Sequence, residues 1–155
     1  MAFGSTGETM KYDDASWHYG GDFPRDLPDG AGATHTGMFL AWCLFNGLAG
    51  EDLAEEPEEI ERLENRTVTP GRFFLEMCDG KFVDEDVNEE GQAFVEAYFD
   101  FEKGDYLSEY EGLLAVDLPT TYHAPDTWEN YDRLAPVIER RYTAWKAEQH
   151  ATDEK

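Results

Sequence analysis

Thr34-His35-Thr36-Gly37-Met38-Phe39-Leu40-Ala41-Trp42-Cys43-Leu44-Phe45 is the stretch that decides the fold. Its apolar run, Met38 to Phe45, is the longest in the chain, yet it falls far short of the ~18 residues that would suggest a membrane span. A surface helix needs an apolar stripe on one side only. A helix that is apolar all round belongs at the centre of a domain, with other elements packed on every face. Thr34 or Thr36 can cap its start, and Gly47 or Gly50 can end it. A mainly α domain is therefore expected, built around this helix.

Working outward, the next signals are also helical. Pro57 suits a first helical turn, and Leu53, Ile60 and Leu63 form the inner face of a second helix running to about Arg66. Thr69-Pro70 reads as the cap and first residue of a third helix, with Phe73, Phe74, Met77 and Cys78 as its stripe and Asp79-Gly80 as its end. Asn88 can cap a fourth, in which Phe94, Ala97, Tyr98 and Phe101 recur before Gly104. Asp105 opens a fifth, with Tyr106, Leu107, Tyr110, Leu113 and Leu114. In the last and longest helix Trp128, Tyr131, Ala135, Ile138, Tyr142 and Trp145 are spaced by alternating steps of three and four. That seam fits a helix lying on the core, with a homodimer through 128–145 as the alternative. Pro136 falls inside it and should kink or break the helix.

Strand signals are confined to Lys81-Phe82-Val83 and the region of Tyr12. One domain over 1–155 is expected, a bundle of about six helices with at most a minor β element. Its parts are an irregular aromatic arm over 1–33, a helical core over 34–150 and a frayed tail over 151–155. Cys43 and Cys78 sit in apolar helical patterns and read as reduced thiols. With no signal-peptide pattern at the N-terminus, the expected compartment is the cytoplasm.

The chain has 155 residues, with 12 Lys and Arg against 35 Asp and Glu, a formal net charge of −23. Nucleic-acid binders present a basic face to phosphates, so direct nucleic-acid binding is not expected, and docking on an anionic membrane is disfavoured for the same reason. The charge lies in blocks. Residues 51–64 carry eight acids and one Arg, 84–102 eight acids and no base, and 105–117 four acids and no base, whereas 126–155 is close to balance. Such an acidic surface either keeps a protein soluble or steers a cationic partner. On the second reading the partner-binding residues are Glu55, Glu56, Glu58 and Glu59 of the first block and Asp84, Glu85, Asp86, Glu89 and Glu90 of the second.

Signals for chemistry are sparse. Asp13, Asp14, His18, Asp22 and His35 supply enough ligand types for a metal site or a His–carboxylate acid–base pair, but their spacing matches no metal motif. An ordered structural turn is the competing reading. Asp84, Asp86 and Asn88 imitate the start of a calcium loop, yet the position that must be glycine is Glu89 and the closing acid falls on Val95. Nucleophile elbows, phosphate loops and dinucleotide fingerprints are missing, and no cofactor is expected.

Lys11-Tyr12-Asp13-Asp14-Ala15-Ser16-Trp17-His18-Tyr19-Gly20-Gly21-Asp22-Phe23-Pro24, together with Thr34-His35-Thr36-Gly37-Met38-Phe39-Leu40-Ala41-Trp42, resembles a family of uncharacterised small acidic bacterial proteins. These look like immunity proteins of contact-dependent or type VI toxin systems, which block a toxin by binding it. The resemblance implies a cognate toxin as partner and assigns no catalytic residue. The expected function is thus a non-catalytic protein that neutralises a cationic protein partner. One alternative is a nucleic-acid mimic that inhibits a DNA-binding protein. Another is a metal-dependent enzyme using Asp13, Asp14, His18 and His35.

Overall fold

Helix α1, Thr34–Phe45, is buried along all but its last residue, as its lack of a polar face requires. The computed structural model describes residues 11–14, 27, 29–100 and 104–153, and in them the chain is mainly α with one two-stranded sheet. Around α1 lie α2 (Glu51–Ala54), α3 (Pro57–Glu64), α4 (Pro70–Cys78), α5 (Glu89–Phe94), α6 (Tyr106–Leu114) and α7 (Trp128–Asp153). That makes seven helices among the described residues. The seventh is the short α2, which the sequence pattern merged with the approach to α3.

Strand β1, Lys11–Asp14, pairs antiparallel with β2, Lys81–Val83. These are the two places where the sequence allows strand. Within the 1–33 segment the described regular elements are β1, at the place where a strand is allowed, and a 3-10 turn, Asp29–Ala33. Its remaining aromatic and polar residues, His18 and Asp22 among them, lie outside the described residues. At the other end α7 continues to Asp153, so the expected tail begins in helix.

Several local signals act as read. Thr69 accepts a hydrogen bond from the Arg72 amide at the start of α4, and Asn88 accepts one from the Gly91 amide at the start of α5. Asp79 and Gly80 both take positive φ at the end of α4, 56° and 73°, which closes the helix in the left-handed conformation. The cap of α1 is a correction. Ala33 occupies that position with no side-chain bond, and neither Thr34 nor Thr36 caps.

After Phe94 the chain widens into a π-type turn, Val95–Phe99. Val95, Tyr98 and Phe99 are buried and Ala97 is exposed, so the expected stripe holds at Tyr98 but not at Ala97. Phe101 lies outside the described residues. Pro136 does not interrupt α7. The heptad-like seam of α7 faces the core of its own chain: Tyr131, Leu134 and Ile138 are buried, and Trp128, Ala135, Tyr142 and Trp145 pack against the same cluster.

The core is dense in aromatic rings. Phe39 of α1 stands 4.9–6.2 Å, centroid to centroid, from Phe82, Phe94, Tyr98, Phe99 and Tyr106. Cys43 and Cys78 are free thiols, both pushed well up by burial. Among the described residues no helix is long and apolar enough to cross a membrane.

Candidate functional site

Three features could carry function: a buried polar centre at Asp13 and His35, a cleft beside it, and the acidic surface of α2, α3 and residues 84–90.

The polar centre begins in β1. A register irregularity between Lys11 and Asp13 lets consecutive residues Asp13 and Asp14 both turn inward, at 0% and 5% exposure, as a bulge does. Thr36 of α1 donates a 2.5 Å hydrogen bond to Asp13 Oδ2, and His35 Nε2 lies 3.3 Å from the same oxygen. Lys11 Nζ reaches Asp14 at 2.9 Å. The Tyr106 hydroxyl donates to the His35 carbonyl at 2.5 Å. A carboxylate buried without such partners would be strongly destabilising; with them it fastens β1 to α1, while Tyr106 fastens α1 to α6. The structure thus brings together Asp13 and His35, two of the residues singled out for chemistry. Asp14 stands beside them with Lys11 as its partner. Among the described residues, no group of three or more His, Cys, Asp or Glu is placed to hold a metal.

The cleft lies on the other side of His35 and has a volume of about 290 Å³. Leu107, Glu111 and Ala115 of α6 and the Leu118–Tyr122 segment line it. Thr121 donates to Glu111 Oε2 at 2.8 Å, and the Tyr122 amide donates to Thr120 Oγ1 at 3.1 Å. Asp13 and burial together raise the Tyr122 phenol, burial being the larger cause. Glu111, Thr121 and Tyr122 carry no sequence signal as a site, because a helix face and a turn bring them together. The one pointer in the sequence is His35.

The acidic surface is assembled by a short ladder. Ala49 bridges Val87, the Gly50 amide donates to the Asp86 carbonyl at 2.9 Å and the Asn88 amide to the Leu48 carbonyl at 2.9 Å. Gly50 is required for this approach: a Cβ there would stand 2.1 Å from the Glu85 carbonyl oxygen. The ladder sets the first turn of α2, Glu51 and Asp52, beside Asp84–Asp86. Two acidic blocks separated in sequence therefore form one surface. Like charges crowd there, and Asp86 shows the effect. Burial first, then Asp52, Glu85 and Asp84, push its carboxyl up to about 6 against the pull of the Val83 amide, which donates to it at 2.9 Å.

The nine acids named from sequence divide by environment. Glu55, Glu56, Glu58, Glu85 and Glu89 are exposed. Glu59 pairs with Arg62 at 2.7 Å. Asp84 and Asp86 are half-buried. Glu90 is a tie within the chain: it accepts from the Tyr142 hydroxyl and meets Lys146 Nζ at 3.0 Å. The third block is likewise engaged. Arg141 lies 2.5 Å from Glu109 and 3.6 Å from Asp105. Burial raises the Glu109 carboxyl, but bonds from Arg141 and Tyr98 outweigh it and hold the group below its ordinary range. Arg141 and Lys146 of α7 are thus drawn onto acids of α5 and of the start of α6, and the exposed negative surface is mainly that of α2, α3 and residues 85–89.

Comparison with known proteins adds little about chemistry. No curated protein and no solved structure matches the chain. Residues 11–124, from β1 to the turn before α7, match a family described as a domain of unknown function, DUF7832. That match takes in the polar centre, the cleft and both exposed acidic blocks, and the chain belongs to the DUF7832 family.

Proposed function

We propose that this protein is a non-catalytic binding protein that neutralises a cationic protein partner, most concretely an immunity protein that blocks an antibacterial toxin of a type VI or contact-dependent system in the cytoplasm. The observation that carries the reading is the ladder between residues 48–50 and 86–88, which unites two acidic blocks on one surface. Glu51, Asp52, Glu55, Glu56, Glu58 and Glu89 have no ion-pair partner on that surface among the described residues and are exposed. Complementary fields of this kind accelerate encounter and fix orientation. The mechanism is occlusion, with these carboxylates pairing with Lys and Arg around the partner's working cleft.

The test is affinity capture from the source organism with wild-type protein and with a variant carrying Gln at Glu55, Glu56, Glu58, Glu85 and Glu89. The reading expects a basic partner whose affinity falls about tenfold or more in the variant, with a shallower salt dependence. Equal affinity for both proteins would overturn it.

The Asp13–His35 contact is the observation that favours the enzyme alternative. Its geometry serves equally as a fastening: Asp13 is fully buried and already accepts from Thr36. Metal analysis of the purified protein separates the two, since a stoichiometric transition metal would favour the enzyme.

A further inference from the structure

We propose that the cleft beside His35 is a socket for an arginine side chain of the basic partner. This rests on the reading of the protein as a binder of a cationic protein, and adds to it a defined point of recognition. The argument begins with what the cleft lacks. Among the described residues that line it, none is Lys or Arg, so an anionic ligand finds no counter-charge from them. What it offers is acceptors. The Thr121 hydroxyl hydrogen is already committed to Glu111, which leaves the Thr121 oxygen and the second Glu111 carboxylate oxygen open to donors. Behind the wall, the Asp13 carboxylate stands 3.3 Å from His35 and adds negative potential. A donor-rich cation is the complement.

Shape narrows the choice. Leu107, Ala115, Leu118 and Pro119 form an apolar wall, suited to an aliphatic stem that ends in a charged head. A guanidinium is flat, weakly hydrated and able to meet a carboxylate through two N–H groups, whereas an ammonium is a strongly hydrated point charge. The rim points to a protein as the carrier. Val116, at 70%, and Leu118, at 37%, are the exposed large hydrophobic residues among those described, and acidic Asp117 stands between them. Apolar groups around a charged pocket are the usual setting of an arginine anchor.

The probe is N-acetyl-arginine amide, titrated against the whole protein and followed by NMR, with N-acetyl-citrulline amide as the neutral isostere. The expected result is saturable binding in the millimolar range, about fivefold or more tighter for arginine, with shifts at Glu111, Leu118 and Tyr122. Glu111→Gln should abolish the preference while leaving the spectrum of the core intact, and Leu118→Ala should weaken both probes. Equal binding of arginine and citrulline probes would overturn the socket, as would shifts confined to α2 and α3. Micromolar affinity for free arginine would also overturn it, by assigning the cleft to a small guanidino ligand. With a captured partner, two variants keep the ideas distinct. If the five-Gln variant loses the partner and Glu111→Gln does not, the socket fails and the binding reading stands. If only Glu111→Gln loses it, the acidic-surface reading fails and the socket stands.

Discussion

Helices α1 and α3 are both short and both close to one another in space, yet they are built on opposite rules. In α1 all but one residue is buried, and the helix has no face to offer to water. In α3 only Leu63 is buried, while Glu58, Glu61 and Glu64 are exposed. The first helix has neighbours on every side, so each of its residues is held to a shape. The second is seated by Leu63 and the half-buried Ile60, and the remainder of its surface is free to be charged. Stability should therefore follow α1 and recognition should follow α3, which makes the two separable by substitution.

The largest effect should come from the centre of α1. Phe39→Ala removes the ring shared by β2, α5, the π-type turn and α6, and is expected to cost about 3–5 kcal/mol in denaturant unfolding. Gly37→Ala comes next. A Cβ at Gly37 would stand 2.6 Å from the Pro70 carbonyl oxygen and 2.8 Å from Gly71 Cα, so α1 and α4 must move apart, at about 2–3 kcal/mol. A melting curve indistinguishable from wild type would show that this crossing has slack. Thr36→Val removes the hydroxyl that meets buried Asp13 and should cost about 1–2 kcal/mol.

Asp86 tests the comparison from the acidic side, because there the charge acts against the fold. Its folded carboxyl titrates at about 6 rather than 3.8, so between those values the native state holds the proton more tightly than the unfolded chain. Its contribution to stability is fully present only below pH 3.8, and is lost as pH rises through about 6. Asp86→Asn keeps an acceptor for the Val83 amide and removes the charge. It should stabilise the protein by about 1 kcal/mol at pH 7 and leave stability unchanged at about pH 3, as read from paired unfolding curves. The smallest effect on folding belongs to α3. Glu58, Glu61 and Glu64, all changed to Gln, should shift stability by no more than about 0.5 kcal/mol while weakening partner binding; a large loss of stability would mean that α3 is held by its charges.

The same contrast explains what could be read in the sequence. Signals that act within a few residues were legible: Thr69-Pro70 and Asn88 start helices, Asp79-Gly80 ends one, and the alternating steps of α7 mark the face it buries. The two strand segments gave only weak signals, yet they were the places where a strand was allowed. Where a distant residue competes, local reading fails. Thr36 has the chemistry of a cap, but Asp13 claims its hydroxyl from another element. The spacing of Phe94, Ala97 and Tyr98 suggests a regular helix, but packing of Phe99 against Phe39, Phe82 and Tyr106 accompanies a wider turn. At the candidate site, charge density was visible and its arrangement was not. Nothing in the acidic blocks tells that Glu90 is tied to α7, or that Gly50 lets residues 51–52 meet 84–86. The cleft was visible only through His35, because its other polar groups come from a helix and a turn with no shared pattern.

Strand β1 has a consequence for the order in which the molecule is made. Lys11–Asp14 leaves the ribosome long before Lys81–Val83, its only strand partner among the described residues. Local helices can form during that interval, but this pairing waits until α1 through α4 have been synthesised. If Asp13 is seated by that pairing, it enters the core when α1 already has something to pack against. In a pulse-labelling hydrogen-exchange experiment, β1 and β2 amides should gain protection together and after those of α1, making the Asp13–Thr36 contact a closing step of folding rather than its seed.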